Sequence, residues 1–159
     1  MANKEARSAV ICSMRYRNAP QAIDWLCHVF GFQRHAVYSG PNNTIEHAEL
    51  TLGGGMIMLG SIRDDEWSRL MMHTDELGGV ETRGCYLFVP NADEVYARVK
   101  AVGVEIIKEI QDESYGGRAF VCRDLEGRVW SVGTYDPWER SKGPQDYWPA
   151  RLNAQTISK

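Results

Sequence analysis

NAPQAIDWLCHVFGF (Asn18 to Phe32) and NADEVYARVKAVGV (Asn91 to Val104) are built to one outline. Each opens on Asn-Ala, runs through an apolar stripe at helical spacing, and closes on Gly followed by an apolar residue. Asn18 and Asn91 can accept from backbone amides at a helix start, with Gln21 and Glu94 reaching back. Ile23, Leu26, Cys27 and Phe30 form one stripe; Val95, Val99 and Val102 form the other. Gly31 and Gly103 stand where a helix ends in left-handed backbone. Two helices are predicted, offset by roughly 72 residues, as a duplicated unit requires.

The flanks repeat as well. AVICSMRY (Ala9 to Tyr16) and GCYLFV (Gly84 to Val89) read as strands ahead of the two helices. QRHAVY, then HAELTLGGGMIMLGS (His47 to Ser61), supply a strand and a hairpin after the first helix; VEIIKEI and RAFVCRDLEGRVWSVGTY do so after the second. In the first hairpin Ala48, Leu50 and Leu52 alternate with His47, Glu49 and Thr51, which puts an apolar and a polar set on opposite faces. Each half is thus strand, helix and three strands. Neither covers both faces of its sheet alone, so the halves are expected to pack together. The expected organisation is a first module over residues 8–62, a linker or lid over 63–83, a second module over 84–138 and a tail over 139–159.

A chain of 159 residues, 43% apolar, is the size of one domain or two small fused modules and can bury a core. Its net charge is -3 with both signs interspersed, and no basic patch with interleaved aromatics marks a nucleic-acid surface. No apolar run suits a signal peptide or a bilayer span, so a cytoplasmic protein without a membrane partner is expected. Cys12, Cys27, Cys85 and Cys122 are far apart, without CxxC or zinc-type spacing, and read as buried reduced thiols.

RDLEGRVWSVGTYDPW (Arg123 to Trp138) carries a DxxG hairpin turn at Asp124, Leu125, Glu126 and Gly127. With the duplicated unit it resembles the vicinal oxygen chelate superfamily, which includes glyoxalase I, extradiol dioxygenases, fosfomycin-resistance enzymes and bleomycin-resistance proteins. The resemblance covers about Ser8 to Trp138. It implies an α+β fold of two tandem βαβββ modules, whose eight strands curl into a half-open cup with the helices outside. Strand parity within that fold is expected to turn Ile11, Ser13, Arg15, His47, Glu49, Thr51, Met56 and Met58 inward. Cys85, Leu87, Phe120, Cys122 and Ser131 are expected on the same inner wall, with Trp130 and Val132 under the helices.

Metal-dependent relatives place one ligand in each of the first, fourth, fifth and eighth strands. Carried over by resemblance, those positions fall on Ile11, Met58, Cys85 and Ser131, which do not form a donor set for a hard divalent ion. The resemblance therefore implies a metal-lacking, bleomycin-resistance-like branch, with no cofactor, a small-molecule ligand and a two-fold homodimer.

Several side chains admit two readings. His47 and Glu49, two apart on one face, suit acid–base chemistry or chelation, or equally a hydrogen-bonded pair at the rim. Arg15 and Arg118 can clamp a carboxylate or phosphate if both face inward, or can pair with local acids. Trp67 stacks on a ligand or anchors the linker, where Leu70, Met71 and Met72 could close over something apolar. His73 reads as a lid contact or, as the commoner case, a solvated loop residue; His28 is expected as a surface residue, and His35 carries no signal. Cys85 and Cys122 are expected to be structural thiols. The leading expectation is a protein that binds a small organic molecule in the sheet cleft without a catalytic metal. The alternatives are a lyase, isomerase or dioxygenase using His47 and Glu49, and a structural dimer with a vestigial cup.

Overall fold

A computed structural model describes residues 7–139. The order is β1 (Cys12–Tyr16), α1 (Ala19–Phe30), β2 (Gln33–Ser39), β3 (Ile45–Leu52) and β4 (Gly55–Ser61), then β5 (Cys85–Phe88), α2 (Ala92–Val102), β6 (Ile106–Asp112), β7 (Arg118–Arg123) and β8 (Val129–Gly133). Two 3₁₀ turns, Ser68–Leu70 and Thr74–Leu77, lie in the connection between the halves. The strands form two open sheets of four, ordered β1-β4-β3-β2 and β5-β8-β7-β6. In each, the first and last strands run parallel and the other pairings are antiparallel. The duplicated βαβββ architecture read from the sequence is the fold.

The helix ends follow from the repeated Asn and Gly. Asn18 accepts from the Gln21 amide at 3.2 Å, and Asn91 accepts from the Glu94 amide at 3.2 Å. The Asn91 side-chain amide also donates to the Glu94 carboxylate at 2.9 Å. Gly31 and Gly103 close their helices at φ 86° and 75°, backbone that a Cβ would strain.

One core joins the modules. Met14, Tyr16, Leu50, Ile57 and Leu59 lie under α1, and Leu87, Phe120, Cys122, Trp130 and Val132 belong to the same buried cluster. Trp130 of β8 packs on Phe30 and Phe32 of the first module, with ring centroids 5.3 and 6.4 Å apart. Arg98 of α2 donates to the Val29 carbonyl in the last turn of α1 at 2.8 Å.

The second module corrects the expected inner wall. Cys85 pairs with Trp130, Leu87 and Phe120 pair with Val132, and Cys122 pairs with Trp130. Residues directly paired across strands share a face, so Cys85, Leu87, Phe120 and Cys122 lie on the helix side with Trp130 and Val132. Phe120 meets Tyr96 of α2 edge-on at 5.3 Å. The outward face instead carries Tyr86, Phe88, Val121 and Ser131. CYLF and AFVC are apolar at every position, so period-two reading has no polar residue to fix the face. Ile11 is corrected too: β1 begins after it, and it is exposed. Among the described residues no helix is long and apolar enough to cross a membrane. The tail from residue 140 onward lies outside the described residues.

Candidate functional site

The DxxG hairpin turn is the anchor from which the site is built. Asp124 is buried, and its carboxylate accepts from the Tyr16 hydroxyl (2.7 Å), Trp130 Nε1 (3.0 Å) and the amides of Glu126 (2.9 Å) and Arg128 (3.0 Å). Burial, and then the Asp124 charge, push the Tyr16 phenol well above its usual range, which keeps it a donor. The Glu126 carboxylate accepts from the amides of Arg17 (2.8 Å) and Asn18 (2.7 Å) at the entrance to α1. It also lies 2.9 Å from His73 Nε2, while His73 Nδ1 lies 3.1 Å from Asp75.

His73 is therefore a buried clasp that holds the connection to the second module, which corrects the expectation of a solvated residue. A short polar sequence reads as loop, and nothing in it reveals a carboxylate arriving from a turn fifty residues later. Thr74 adds a hydroxyl bond to the Glu126 carbonyl at 3.0 Å.

The pinned connection roofs an open cavity of about 940 Å³. Its walls include Met14 and Arg15 of β1, the stretch from Ile62 to Asp64, Ser68 to His73, Leu77, Glu81 to Arg83, and Arg128 before β8. Five arginines line it: Arg15, Arg63, Arg69, Arg83 and Arg128. Leu70, Met71, Met72 and Leu77 contribute apolar wall. Arg128 is fixed by a 2.6 Å bond to the Arg15 carbonyl and lies 5.2 Å over the Tyr16 ring.

Of the residues expected on the inner wall, Arg15 lines this cavity, and so do Leu70, Met71, Met72 and His73 from the expected lid. Ser13, His47, Glu49, Thr51, Met56 and Met58 do share the open face of the first sheet, through the pairings Ser13–Met58, Glu49–Met58 and Thr51–Met56. His47 Nε2 lies 3.1 Å from Glu49, and His35 lies 3.8 Å from the same carboxylate. Ser13 and Cys85 border a separate cavity of about 40 Å³ at the seam between β1 and β5. Arg118 does not face inward with Arg15: it is bound to Asp93 of α2 at 2.9 Å and to Asp112 at 3.3 Å. Trp67 precedes the first 3₁₀ turn, half-exposed and off the cavity wall.

Arg63, Arg69, Arg83 and Arg128 were missed, whereas Met71 and Met72 stand where the sequence reading let them close over something apolar. The sequence does offer a signal, three arginines and two methionines within one connection, but only the fold sets them around one space.

The environments of Cys85 and Cys122 favour the neutral thiol. Burial, then the Cys12 thiol and Glu81, push the Cys85 thiol up to about 12; burial and Asp124 push that of Cys122 up to about 12. All four cysteines are free, and Cys12 is exposed, unlike the buried thiol expected of it.

The register also tests the four coordination corners. On the open faces Ser13 pairs with Met58 and Tyr86 with Ser131, so Ser13 and Tyr86 replace Ile11 and Cys85 in that comparison. Two alcohols, a thioether and a phenol do not fit a hard divalent ion. Among the described residues, no group of three His, Cys, Asp or Glu side chains converges to hold one.

Known proteins bear on this arrangement. The chain is 27% identical over 116 residues to an uncharacterised protein of Mycobacterium tuberculosis, covering 73% of this chain and 68% of that one. It is similar to TioX from Micromonospora sp. ML1, with 30% identity, a TM-score of 0.62, and 79% of this chain matched to 97% of that one. A glyoxylase/bleomycin resistance protein/dioxygenase domain from Frankia sp. EAN1pec shares the fold, with a TM-score of 0.56 at 16% identity over 79% and 94% of the chains. The model of the Glyoxalase/Bleomycin resistance protein/Dioxygenase superfamily matches residues 9–132, and the chain belongs to that superfamily.

Proposed function

We propose that the protein binds a small organic molecule, without a catalytic metal, in the cavity between β1 and the connection that joins the modules. The observation that carries this reading is the cavity itself. Its volume of about 940 Å³ lies in the range of small-molecule sites, which are mostly apolar with a few placed polar groups. Methionines supply adaptable apolar wall, and the arginines supply orientation. The donor chemistry at the four corners supports binding without a metal.

A thermal-shift screen of glycopeptide drugs, thiol conjugates and catechols, with and without divalent metals, tests the reading. A ligand that stabilises the metal-free protein, and whose effect is lost in Met71→Trp, is the expected result. Stabilisation that requires a metal, or that survives Met71→Trp, overturns it.

A second reading, an enzyme of the same superfamily with a relocated site, has one observation in its favour. The His47–Glu49 pair at 3.1 Å is suited to proton transfer on the open face of the first sheet. Stoichiometric iron, nickel, zinc or manganese in protein purified without chelator would favour it. The homodimer remains part of the proposal, supported by the exposed Tyr86 and Phe88 on the open face of the second sheet. Sedimentation equilibrium should give twice the chain mass; a single-chain mass overturns that part alone.

A further inference from the structure

The charges around the cavity are unequally matched. Arg69 pairs with Asp64 at 2.9 Å, Arg63 faces Asp65 at 3.4 Å, and Arg128 faces Glu81 at 3.5 Å. The three carboxylates on the wall are all engaged, Glu76 by the His73 amide at 2.8 Å. Arg15 and Arg83, by contrast, form no ion pair among the described residues. Among the described residues, Arg83 reaches only the Met71 sulfur, at 3.6 Å, a weak acceptor.

Arg15 is the more telling of the two. Its Nε is buried and makes no hydrogen bond among the described residues. The guanidinium lies against β4 where Gly60 leaves room; a side chain there would collide with Nη1. Burial, and then the like charge of Arg63, pull the Arg15 pKa down, with Asp65 opposing. A partly desolvated cation beside a second cation, with one buried donor unmet, gains when something anionic joins it.

We infer that the cavity takes an amphipathic organic anion, its acidic group held by Arg15 and Arg83 and its apolar body set against Met71, Met72 and Leu77. This rests on the small-molecule reading above and adds the ligand's charge. Planar guanidinium forks bind carboxylate or phosphate oxygens in pairs, and the methionine wall tolerates many apolar shapes.

Two dyes with the same aromatic body separate charge from shape: 1-anilinonaphthalene-8-sulfonate, an anion, and N-phenyl-1-naphthylamine, which is neutral. Each is titrated by fluorescence against the full chain. The anion is expected to bind at least about tenfold more tightly, the worth of one charge-assisted hydrogen bond. Arg15→Gln and Arg83→Gln should each weaken it about tenfold and leave the neutral dye unchanged. Arg83 is exposed, so that variant keeps the test valid if Arg15→Gln fails to fold. Added salt should weaken the anion alone.

Equal affinity for both dyes, untouched by either arginine change, overturns the inference while leaving the cavity reading intact. Binding of neither dye, or binding of both that ignores Met71→Trp, overturns the two together. Competition by 1-naphthoate and 1-naphthyl phosphate then distinguishes carboxylate from phosphate. Displacement of the anionic dye by neither, when the neutral dye displaces it, also overturns the inference.

Discussion

Asp124 gathers four donors from three parts of the chain: a tyrosine of the first module, a tryptophan of the second, and two amides of its own turn. Removing the carboxylate leaves these donors unmet in a dry interior. Asp124→Ala should lose about 3 kcal/mol in urea denaturation, because hydrogen bonds to a charged acceptor are lost and buried donors are stranded. Asp75 makes a different, pH-dependent case. The Arg17 guanidinium grips it through two bonds of 2.8 Å and holds its carboxyl at about 2, below the ordinary 3.8. A carboxyl depressed in the folded state takes up its proton in the unfolded chain first. Its contribution is thus full above about pH 4 and is lost as pH falls through about 2. Arg17→Gln should flatten that part of the stability–pH curve, and a carboxyl-carbon NMR titration should place Asp75 nearer its ordinary value.

The connection from Ile62 to Arg83 behaves as an element although it holds little regular structure. Its order comes from Glu126, which binds His73 and the amides of Arg17 and Asn18 just ahead of α1 at once. Glu126→Ala should release both, and amide hydrogen exchange within residues 62–83 should accelerate well before any change in the strands of either sheet. Equal protection in the variant would mean that packing alone orders the connection. Strands and helices were far more legible than this segment. Asn caps, apolar stripes and closing glycines are local signals, each satisfied within a few residues. The clasp is non-local, since His73 and Glu126 look like ordinary polar residues until the fold brings them together.

At the scale of the molecule, the modules share one interior. Trp130 of the second half rests on Phe30 and Phe32 of the first, and Arg98 satisfies a carbonyl at the end of α1. Trp130→Ala should therefore cost about 3–5 kcal/mol, the usual range for a fully buried aromatic. Protection of α1 and α2 amides should fall together. If α2 alone loosened, the modules would be independent folding units. The cavity is a product of this same packing, because its floor is β1 and Arg128 while its roof is the connection between the halves.

The amino-acid sequence by itself determined the duplicated βαβββ order, the helix caps and the polar open face of the first sheet, where His47, Glu49 and Thr51 alternate with buried Ala48 and Leu50. It did so because a period of two or of 3.6 is written wherever polar and apolar residues take turns. Only the tertiary structure decided the faces of β5 and β7, whose residues are apolar on both sides and gain or lose by which face the helix covers. Only it decided the site as well: five arginines from β1, the connection and the turn before β8 become neighbours through long-range packing, which no local spacing encodes.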